Sequence, residues 1–485
     1  MTSFQDIFCR SGIIRHTVYP KVNYLTMASS FASTLKDPTL FIEKSYINGQ
    51  WVSSKSKNTF AVTNPASDTL LGSCPESTTD DLNDAIQAAS RAFPAWRALS
   101  GRQRGRILRA LFDLLTENKL DLGRIITAEN GKSKVDAEGE VLFAASFFEW
   151  FAEEAPRIYG DVIPHSNAAS RTHVIKEPVG VCGLISPWNF PLAMGARKVA
   201  AALAAGCTVV LKPDGLTPFS SNAMAKLAER AGVPKGVINV VTALDSTPQL
   251  GLALCESNIV KKISFTGSTR VGKLLMKQSS NTLKKLSLEL GGNAPFIVFD
   301  DADVEVAVAS VLISKFKVTG QTCVCANRIY VQNGIYDRFS QRLIEEVNKF
   351  RVGSGLDDAS ITHGPMTNGV DKVEEHIKDA VSKTAKILLG GNRLPALGKN
   401  FYELTILGDV DDTMRVSKEE TFGPLAALFR FSTEEEVINR ANNCDVGLAS
   451  YVMTTDLARS HRVSERLEFG MVAINTGGIS DAPAP

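Results

Sequence analysis

The chain has 485 residues, 44% of them hydrophobic and 22% charged, and its 53 Lys and Arg residues nearly balance its 52 Asp and Glu residues. This length suffices for two to three domains with full hydrophobic cores. The balanced charge gives no reason to expect nucleic acid or an anionic membrane as the main partner. The longest nearly apolar run, residues 199–211, is too short to cross a bilayer.

The eight cysteines are scattered without the spacing of a disulfide framework, which is typical of free thiols in a reducing compartment. Cys323 and Cys325 have no further Cys or His at zinc-ligand spacing. We therefore expect no metal site.

Residues 1–38 are predicted to be an N-terminal extension. Its first 35 residues contain three basic residues, Arg10, Arg15 and Lys21, but a single acid, Asp6, and Ser and Thr are frequent. This composition resembles a weak mitochondrial presequence. A start at Met27 would leave a short polar lead-in instead. We favour a dispensable extension and a cytoplasmic location. The alternative is a mitochondrial location, if the first 26–35 residues act as a presequence.

Short strands are predicted next, at residues 46–53 and 60–63, with Asn48-Gly49 as a turn signal. Thr79, followed by Asp80 and Asp81, predicts a capped helix start with favourable charge–dipole interactions. Apolar residues at helical spacing then continue to residue 115 and indicate core packing. Residues 159–177 have an alternating side-chain pattern and contain polar turns. This pattern predicts a protruding hairpin that pairs with a partner sheet.

From residue 181 strands alternate with helices, which predicts a parallel sheet with helices on both faces. The predicted strands are 181–186, 208–212, 237–241, 262–266 and 286–290, and the predicted helices are 194–205, 219–231, 247–256 and 271–279. Ligands of such folds bind at the carboxyl ends of the strands. Pro187-Trp188-Asn189, Lys212, Gly267-Ser268 and Glu289 all fall there, so this edge is the predicted binding site.

A thiol and a carboxylate, each beside glycines, carry the predicted chemistry. Cys323 follows Gly320-Gln321-Thr322 in a second α/β segment, and Glu289 precedes Leu290-Gly291-Gly292. A cysteine thiolate is a strong nucleophile, and a nearby carboxylate can activate water against the resulting acyl-enzyme. Taken alone, Cys323 among small residues would more often be an ordinary buried thiol.

Six motifs occur in the order seen in aldehyde dehydrogenases, and the chain resembles that family from about residue 40 to its last residue. The motifs are Pro187-Trp188-Asn189-Phe190-Pro191, Lys212-Pro213, Phe265 to Gly272, Glu289 to Gly292, Gly320-Gln321-x-Cys323 and Glu420-x-Phe422-Gly423-Pro424. Segments 263–269, 315–316, 320–328 and 417–425 are most similar to the succinate-semialdehyde dehydrogenase branch, in a fungal-like version. Six ordered motifs make the resemblance specific, whereas any one would be weak.

The resemblance implies an aldehyde dehydrogenase-like α/β fold. A Rossmann-like dinucleotide-binding domain would span 39–158 and 179–291, an oligomerisation hairpin 159–178, and an α/β catalytic domain 292–485. It also implies a homo-oligomer, a tetramer in the family. Because the family's sequences continue beyond the Ser480 region, we expect a missing C-terminal tail that would complete the substrate pocket and the oligomer.

The implied reaction is the oxidation of succinic semialdehyde to succinate, late in 4-aminobutyrate breakdown. Cys323 would attack the aldehyde carbon, Asn189 and the Cys323 N–H would hold the oxyanion, and Glu289 would activate the hydrolytic water. Arg197 and Lys317 would bind the far carboxylate. Since the branch has arginine at the second position, Lys317 loses the planar two-point grip, and we expect weaker or less selective binding.

For the cofactor, NADP or NAD, the resemblance implies that Lys212 contacts the adenosine ribose and Glu420 the nicotinamide ribose. Ser268 would face the pyrophosphate at a helix start. Further contacts are expected from Ser186, Pro187, Trp188, Gly267, Glu289, Leu290 and Phe422. NAD-preferring relatives often place a Glu where this chain has Gly215, so we expect that NADP is accepted and NAD remains usable.

Cys325 could close a disulfide with Cys323 under oxidation and inactivate the enzyme reversibly. The alternative is a packed small residue, because a disulfide between such near neighbours is strained.

Two other functions stay open. One is a dehydrogenase for other carboxylated or plain aliphatic aldehydes. The other is a protein that binds the cofactor without turnover. The presence of Cys323, Glu289 and Asn189 together argues against this second alternative.

Overall fold

The computed structural model describes residues 31–484, so the expectations about Met27 and a presequence lie outside the described residues. Its strands are β1 Ser45–Ile47, β2 Gln50–Val52, β3 Thr59–Thr63, β4 Leu70–Pro75, β5 Asp161–Pro164, β6 Arg171–Val174, β7 Val181–Ile185, β8 Thr208–Lys212, β9 Ile238–Val240, β10 Val260–Thr266, β11 Lys285–Glu289, β12 Ala294–Val298, β13 Ala326–Gln332, β14 Lys386–Leu389, β15 Thr405–Val410, β16 Leu425–Phe431, β17 Ala449–Met453 and β18 Met471–Ile474.

The α-helices in this part of the chain are α1 Thr79–Arg97, α2 Gly101–Glu117, α3 Lys119–Asn130, α4 Lys134–Glu154, α5 Ala193–Ala204, α6 Phe219–Arg230, α7 Thr247–Glu256, α8 Thr269–Ser279, α9 Val304–Val311, α10 Tyr336–Val347, α11 Val370–Ser382, α12 Arg415–Lys418, α13 Glu434–Asn442 and α14 Leu457–Arg466. None of the helices among residues 31–484 is long and apolar enough to span a membrane.

The first sheet has the order β11-β10-β7-β8-β9-β1-β2, and its first five strands run parallel. Strand β1 pairs antiparallel with β9 and β2. Successive residues of β8 face opposite cores: Val209 and Leu211 pack with α2 to α6, and Val210 packs with α1 and α7. The predicted parallel sheet with helices on both faces is confirmed, and its strands lie within a residue or two of the predicted positions.

The first long helix begins one residue earlier than the sequence suggested. Its N-cap is Thr78 rather than Thr79. The Thr78 hydroxyl accepts from the Asp81 backbone N–H, and the Asp81 carboxylate accepts from the Thr78 N–H over 2.8 Å. This reciprocal capping box satisfies two helix-end donors at once, which fixes Thr78 as the N-cap.

The second sheet has the order β14-β15-β16-β13-β12-β17-β18 and is parallel apart from the antiparallel edge strand β14. Buried clusters cover both of its faces. The four residues 290–293 join β11 of the first sheet to β12 of the second. The carboxyl end of β11 is therefore next to the second sheet, where the two halves of a site can meet.

Strands β5 and β6 form the predicted hairpin, which pairs only with itself in the described chain. Val162 is 67% exposed and Ile175 is 76% exposed. The domain bounds 39–158 with 179–291, 159–178 and 292–485 stay predictions, as does the partner sheet for the hairpin.

Candidate active site

The loop that carries Cys323 is built under backbone strain. It follows a π-helical turn, Leu312–Phe316, and Val318 and Thr319 then take φ values of 55° and 54° in the left-handed region. That conformation is costly for β-branched residues. The Val318 N–H donates to Asp136 over 3.1 Å and the Thr319 hydroxyl donates to the Gly364 carbonyl over 2.9 Å, so neighbouring segments hold the loop in place.

Cys323 is a free, partly buried thiol. Burial raises its pKa to about 12, and the nearby carboxylates of Glu420 and Glu289 contribute in the same direction. Near neutral pH the thiol is therefore protonated, and it must lose its proton before it can act as a nucleophile.

Glu289 is the last residue of β11, at the predicted binding edge. Its Oε2 accepts from Arg197 Nη1 over 3.1 Å. A side chain at Gly292 would place its Cβ 2.2 Å from the Cys323 carbonyl oxygen, so only glycine permits this approach of the two segments. The loop after the acid thus lies directly against the loop of the thiol.

Asn189 lies in the turn between β7 and α5 and is buried. Its amide Nδ2 donates to the Gln321 carbonyl over 2.9 Å, two residues before Cys323. The Gln321 side chain adds further links, since its Oε1 accepts from the Thr367 N–H over 2.8 Å and its Nε2 donates to the Val318 carbonyl over 3.2 Å. The proposed oxyanion donor and the thiol loop therefore form one hydrogen-bonded unit.

The Asn189 turn rests on a buried ion pair that sequence reasoning missed. One oxygen of Glu140 accepts from the backbone N–H groups of Leu192 and Ala193 over 2.9 and 3.0 Å, and the other pairs with Lys132. Lys132 also lies over the Phe190 ring, 3.6 Å from its centre. A signal was present: Glu140 falls on the apolar stripe of α4, where a charged residue needs a partner.

The cofactor candidates at the strand ends carry unpaired polar groups. Lys212 is buried, burial lowers its pKa, and its ammonium has no hydrogen-bond or ion-pair partner among the described residues. The hydroxyls of Ser186 and Thr266, after β7 and at the end of β10, are also buried without partners. Ser268 caps α8 by accepting from the Val271 N–H over 3.4 Å. Unpaired buried donors beside a helix N-terminus fit an anionic, hydroxyl-rich ligand.

The other predicted cofactor residues lie around the thiol. Glu420 accepts from the Gly292 N–H over 3.2 Å, and burial raises its pKa to about 7. The rings of Trp188 and Phe422 meet edge to face, 5.5 Å apart. Among the remaining members of the set, Leu290 contacts α8 beside Gly272, the Gly267 N–H donates to the Glu289 carbonyl, and Pro187 precedes Trp188 in the turn.

Gly215 has a packing role that the sequence did not reveal. A Cβ at this position would lie 2.8 Å from the Ala243 carbonyl oxygen. Asp214, its neighbour, accepts from the Leu216 N–H over 3.0 Å and so is used in the local turn. The absence of a carboxylate at residue 215 thus has a structural reason as well as the predicted effect on cofactor choice, which stays a prediction.

The two predicted substrate cations differ in their surroundings. Arg197 lies on α5 between Glu289 and the Phe147 ring, whose centre is 5.3 Å away. Lys317 is exposed at the end of the π-helical turn and has no hydrogen-bond or ion-pair partner in the described chain. The structure therefore brings Arg197 to the thiol's neighbourhood through Glu289 and leaves the Lys317 ammonium free.

Cys325 is buried, and its Sγ lies 3.2 Å from the Gly320 carbonyl and 2.9 Å from the Thr322 hydroxyl. Both Cys323 and Cys325 are free thiols. The redox switch between them stays a prediction. No group of three or more His, Cys, Asp or Glu side chains among residues 31–484 has a metal-binding arrangement.

His376 is a second residue that sequence reasoning missed. It is buried on α11, its Nδ1 lies 2.8 Å from the Thr421 hydroxyl, and its Nε2 lies 3.3 Å from Glu419. These partners flank Glu420 on both sides. A single histidine on a helix carries no local signal of this role, because its partners are 43 and 45 residues away in the chain.

The chain is similar to known proteins over most of its length. The family model described as the aldehyde dehydrogenase family matches residues 51–485. A succinate-semialdehyde dehydrogenase [NADP(+)] of Saccharomyces cerevisiae is 52% identical over 463 residues, 95% of this chain and 93% of the relative. A glutarate-semialdehyde dehydrogenase of Pseudomonas putida is 53% identical over 453 residues, 93% of each chain.

Among solved structures, an NADP-dependent enzyme of E. coli superposes with a TM-score of 0.91 at 53% identity, covering 93% of each chain. Since the likeness extends over both sheets, the predicted fold class is confirmed.

Proposed function

Because the chain belongs to the aldehyde dehydrogenase family, we propose that it oxidises succinic semialdehyde to succinate, with NADP as cofactor and NAD as an alternative. One observation carries the proposal. The nucleophile, the water-activating acid and the oxyanion donor, which are 134 residues apart at the extremes (323 − 189), converge in one site that also contains an arginine paired with the acid.

The chemistry assigned to these residues follows from their contacts. Cys323 gives up its proton to water, and the resulting thiolate adds to the aldehyde carbon to give a thiohemiacetal. The Asn189 amide and the Cys323 N–H stabilise the oxygen anion, and each such donor contributes about 2.7–4 kcal/mol in acyl transfer. After oxidation to the thioester, Glu289 accepts a proton from water as the water attacks, and Cys323 leaves.

The strand-end residues fit a dinucleotide. Sugar hydroxyls and phosphates require unpaired donors and a helix start. The buried donors without a partner among the described residues belong to Lys212, Ser186 and Thr266, and the helix start is capped by Ser268. Glu420 would bind the nicotinamide ribose, with Phe422 and Trp188 beside it. When bound, the cofactor supplies the acceptor for the hydride that leaves the thiohemiacetal carbon.

Arg197 supports a substrate with a second, negatively charged end, because a half-buried guanidinium beside the reactive groups can bind a carboxylate through two donors. Lys317 would supply further positive charge from the edge of the site. A relative named for glutarate semialdehyde has nearly the same identity as the one named for succinate semialdehyde, so a substrate one methylene longer is the second candidate.

The exposed hairpin supports a homo-oligomer, which we propose to be a tetramer. Val162 and Ile163 on β5 and Ile175 just after β6 present exposed apolar side chains, and the two-stranded sheet pairs with no other strand of the described residues. Such edges are stabilised by pairing with another chain. The free thiols of the seven cysteines in the described chain suit a reducing compartment, and we propose a cytoplasmic location.

The test is the initial rate of cofactor reduction by the purified chain. Succinic semialdehyde, glutaric semialdehyde and butanal are compared at matched concentrations, each with NADP and with NAD. The proposal expects the highest kcat/KM for succinic semialdehyde with NADP. A higher kcat/KM for butanal would refute the proposal that the substrate carries a second, negatively charged end. Cofactor binding without turnover would support the non-catalytic alternative. Much higher efficiency with NAD would refute the Gly215 hypothesis.

A further inference from the structure

The general base and the proposed substrate cation are paired with each other in the structure. Arg197 Nη1 donates to Glu289 Oε2 over 3.1 Å, and no other side chain of the described residues hydrogen-bonds this carboxylate. The guanidinium is fixed further by the Phe147 ring, 5.3 Å from its centre. Both partners are only partly exposed, so water screens the pair incompletely.

This contact sets up a competition. A substrate carboxylate needs the donors of Arg197, while Glu289 must turn an oxygen toward the attacking water to accept its proton. A carboxylate that a guanidinium holds through one oxygen cannot turn freely, and that oxygen is already used as an acceptor. Resting on the function proposed above, we infer that the carboxylate of the substrate takes over Arg197 and thereby frees Glu289 for hydrolysis of the thioester.

The step that depends on this release is the hydrolysis of the thioester. The water oxygen bonds to the thioester carbon, Glu289 takes the water proton, the carbon–sulfur bond breaks, and the electron pair leaves on Cys323. With an uncharged aldehyde Arg197 stays paired with Glu289. The thioester then forms but is hydrolysed slowly. Arg197 is thus a specificity-determining residue that acts on hydrolysis as well as on binding.

The experiment follows NADPH formation by the full chain in stopped flow, with butanal and with succinic semialdehyde. Butanal is expected to give a fast burst followed by slow turnover, and succinic semialdehyde no such burst. In Arg197→Met the steady-state rate with butanal rises about fivefold, since a partly exposed charge-assisted bond to the base is removed. The kcat/KM for succinic semialdehyde falls in the same variant.

Two controls separate this effect from a structural one. Arg230→Met removes another partly buried arginine, paired with Asp37 over 2.6 Å outside the site, and is expected to change neither rate. Added acetate supplies a carboxylate in trans. It is expected to raise the butanal rate of the unmodified protein and to have no effect on Arg197→Met.

The outcomes distinguish the inference from the function on which it rests. If the unmodified protein shows no preference for succinic semialdehyde over butanal, the proposed function fails and the inference with it. If that preference holds but butanal gives no burst, or its turnover falls in Arg197→Met, the inference alone is overturned. If Arg197→Met does not fold, the acetate experiment on the unmodified protein decides: no stimulation refutes the coupling.

Discussion

Replacement of Glu140 by Gln should destabilise the protein severely, although Glu140 touches neither substrate nor nucleophile. Glu140 and Lys132 are fully buried, and the pair also holds the first turn of α5. Gln can still accept from the Leu192 and Ala193 N–H groups but leaves the Lys132 ammonium without a counter-charge. Breaking a buried ion pair in this way costs about 3–5 kcal/mol.

The assay is urea-induced unfolding followed by fluorescence, at one protein concentration for every variant. The matched control is Glu149→Gln on the same helix, where Glu149 pairs with Arg109 at the surface and the expected loss is at most about 1 kcal/mol. The double variant Lys132→Met/Glu140→Gln removes the orphaned charge and should recover much of the loss. Equal losses in Glu140→Gln and Glu149→Gln would refute this reasoning.

Three further predictions concern the site itself. The pKa of Cys323 is raised to about 12, first by burial and then by Glu420 and Glu289. The rate of Cys323 alkylation by iodoacetamide should therefore be slow at neutral pH and rise about tenfold per pH unit up to about pH 10, and Glu420→Gln should increase it. A rate that does not change with pH would contradict the raised pKa. Because the pKa of Glu420 is raised to about 7, the KM for NADP should increase as pH falls below that value, when the carboxylate that accepts the ribose hydroxyls becomes neutral, and Glu420→Gln should lose this dependence. Lys317→Arg should lower the KM for succinic semialdehyde several-fold without changing that for butanal, and unchanged kinetics would exclude Lys317 from the carboxylate site.

The first sheet was predictable because its signals are local. Strands β7, β8 and β9 are short, mostly apolar runs, whereas in β10 and β11 apolar residues alternate with polar ones, and the alternation of strands with helices admits few topologies. The four motifs between Pro187 and Gly292 lie at the carboxyl ends of these strands, where the fold places ligands, whereas the Cys323 and Glu420 motifs precede β13 and β16. The helix start at Thr78 was missed by one residue because two threonines precede the same acids, and only the hydrogen bonds distinguish them.

The residues that support the site were not predictable from local sequence. Glu140 binds backbone groups 52 and 53 residues ahead, and His376 binds residues 43 and 45 residues ahead. Helical periodicity reports which face of a helix is buried but not which groups meet it. The packing of Gly215 against Ala243 is similar, since a glycine required by a distant carbonyl looks like a glycine required by a ligand.

Arg197 affects the two halves of the reaction in opposite directions. Glu289 is one of the two acids whose charge raises the pKa of Cys323, so its pairing with a guanidinium offsets part of that effect and favours loss of the thiol proton during acylation. The same pairing hinders hydrolysis, because it holds the base through one of its two oxygens. On the coupling inferred above, Arg197→Met should therefore slow the burst with butanal while it speeds the steady state. A residue that acted only in substrate binding would leave both phases with an uncharged aldehyde unchanged, and one that acted only in folding would slow both.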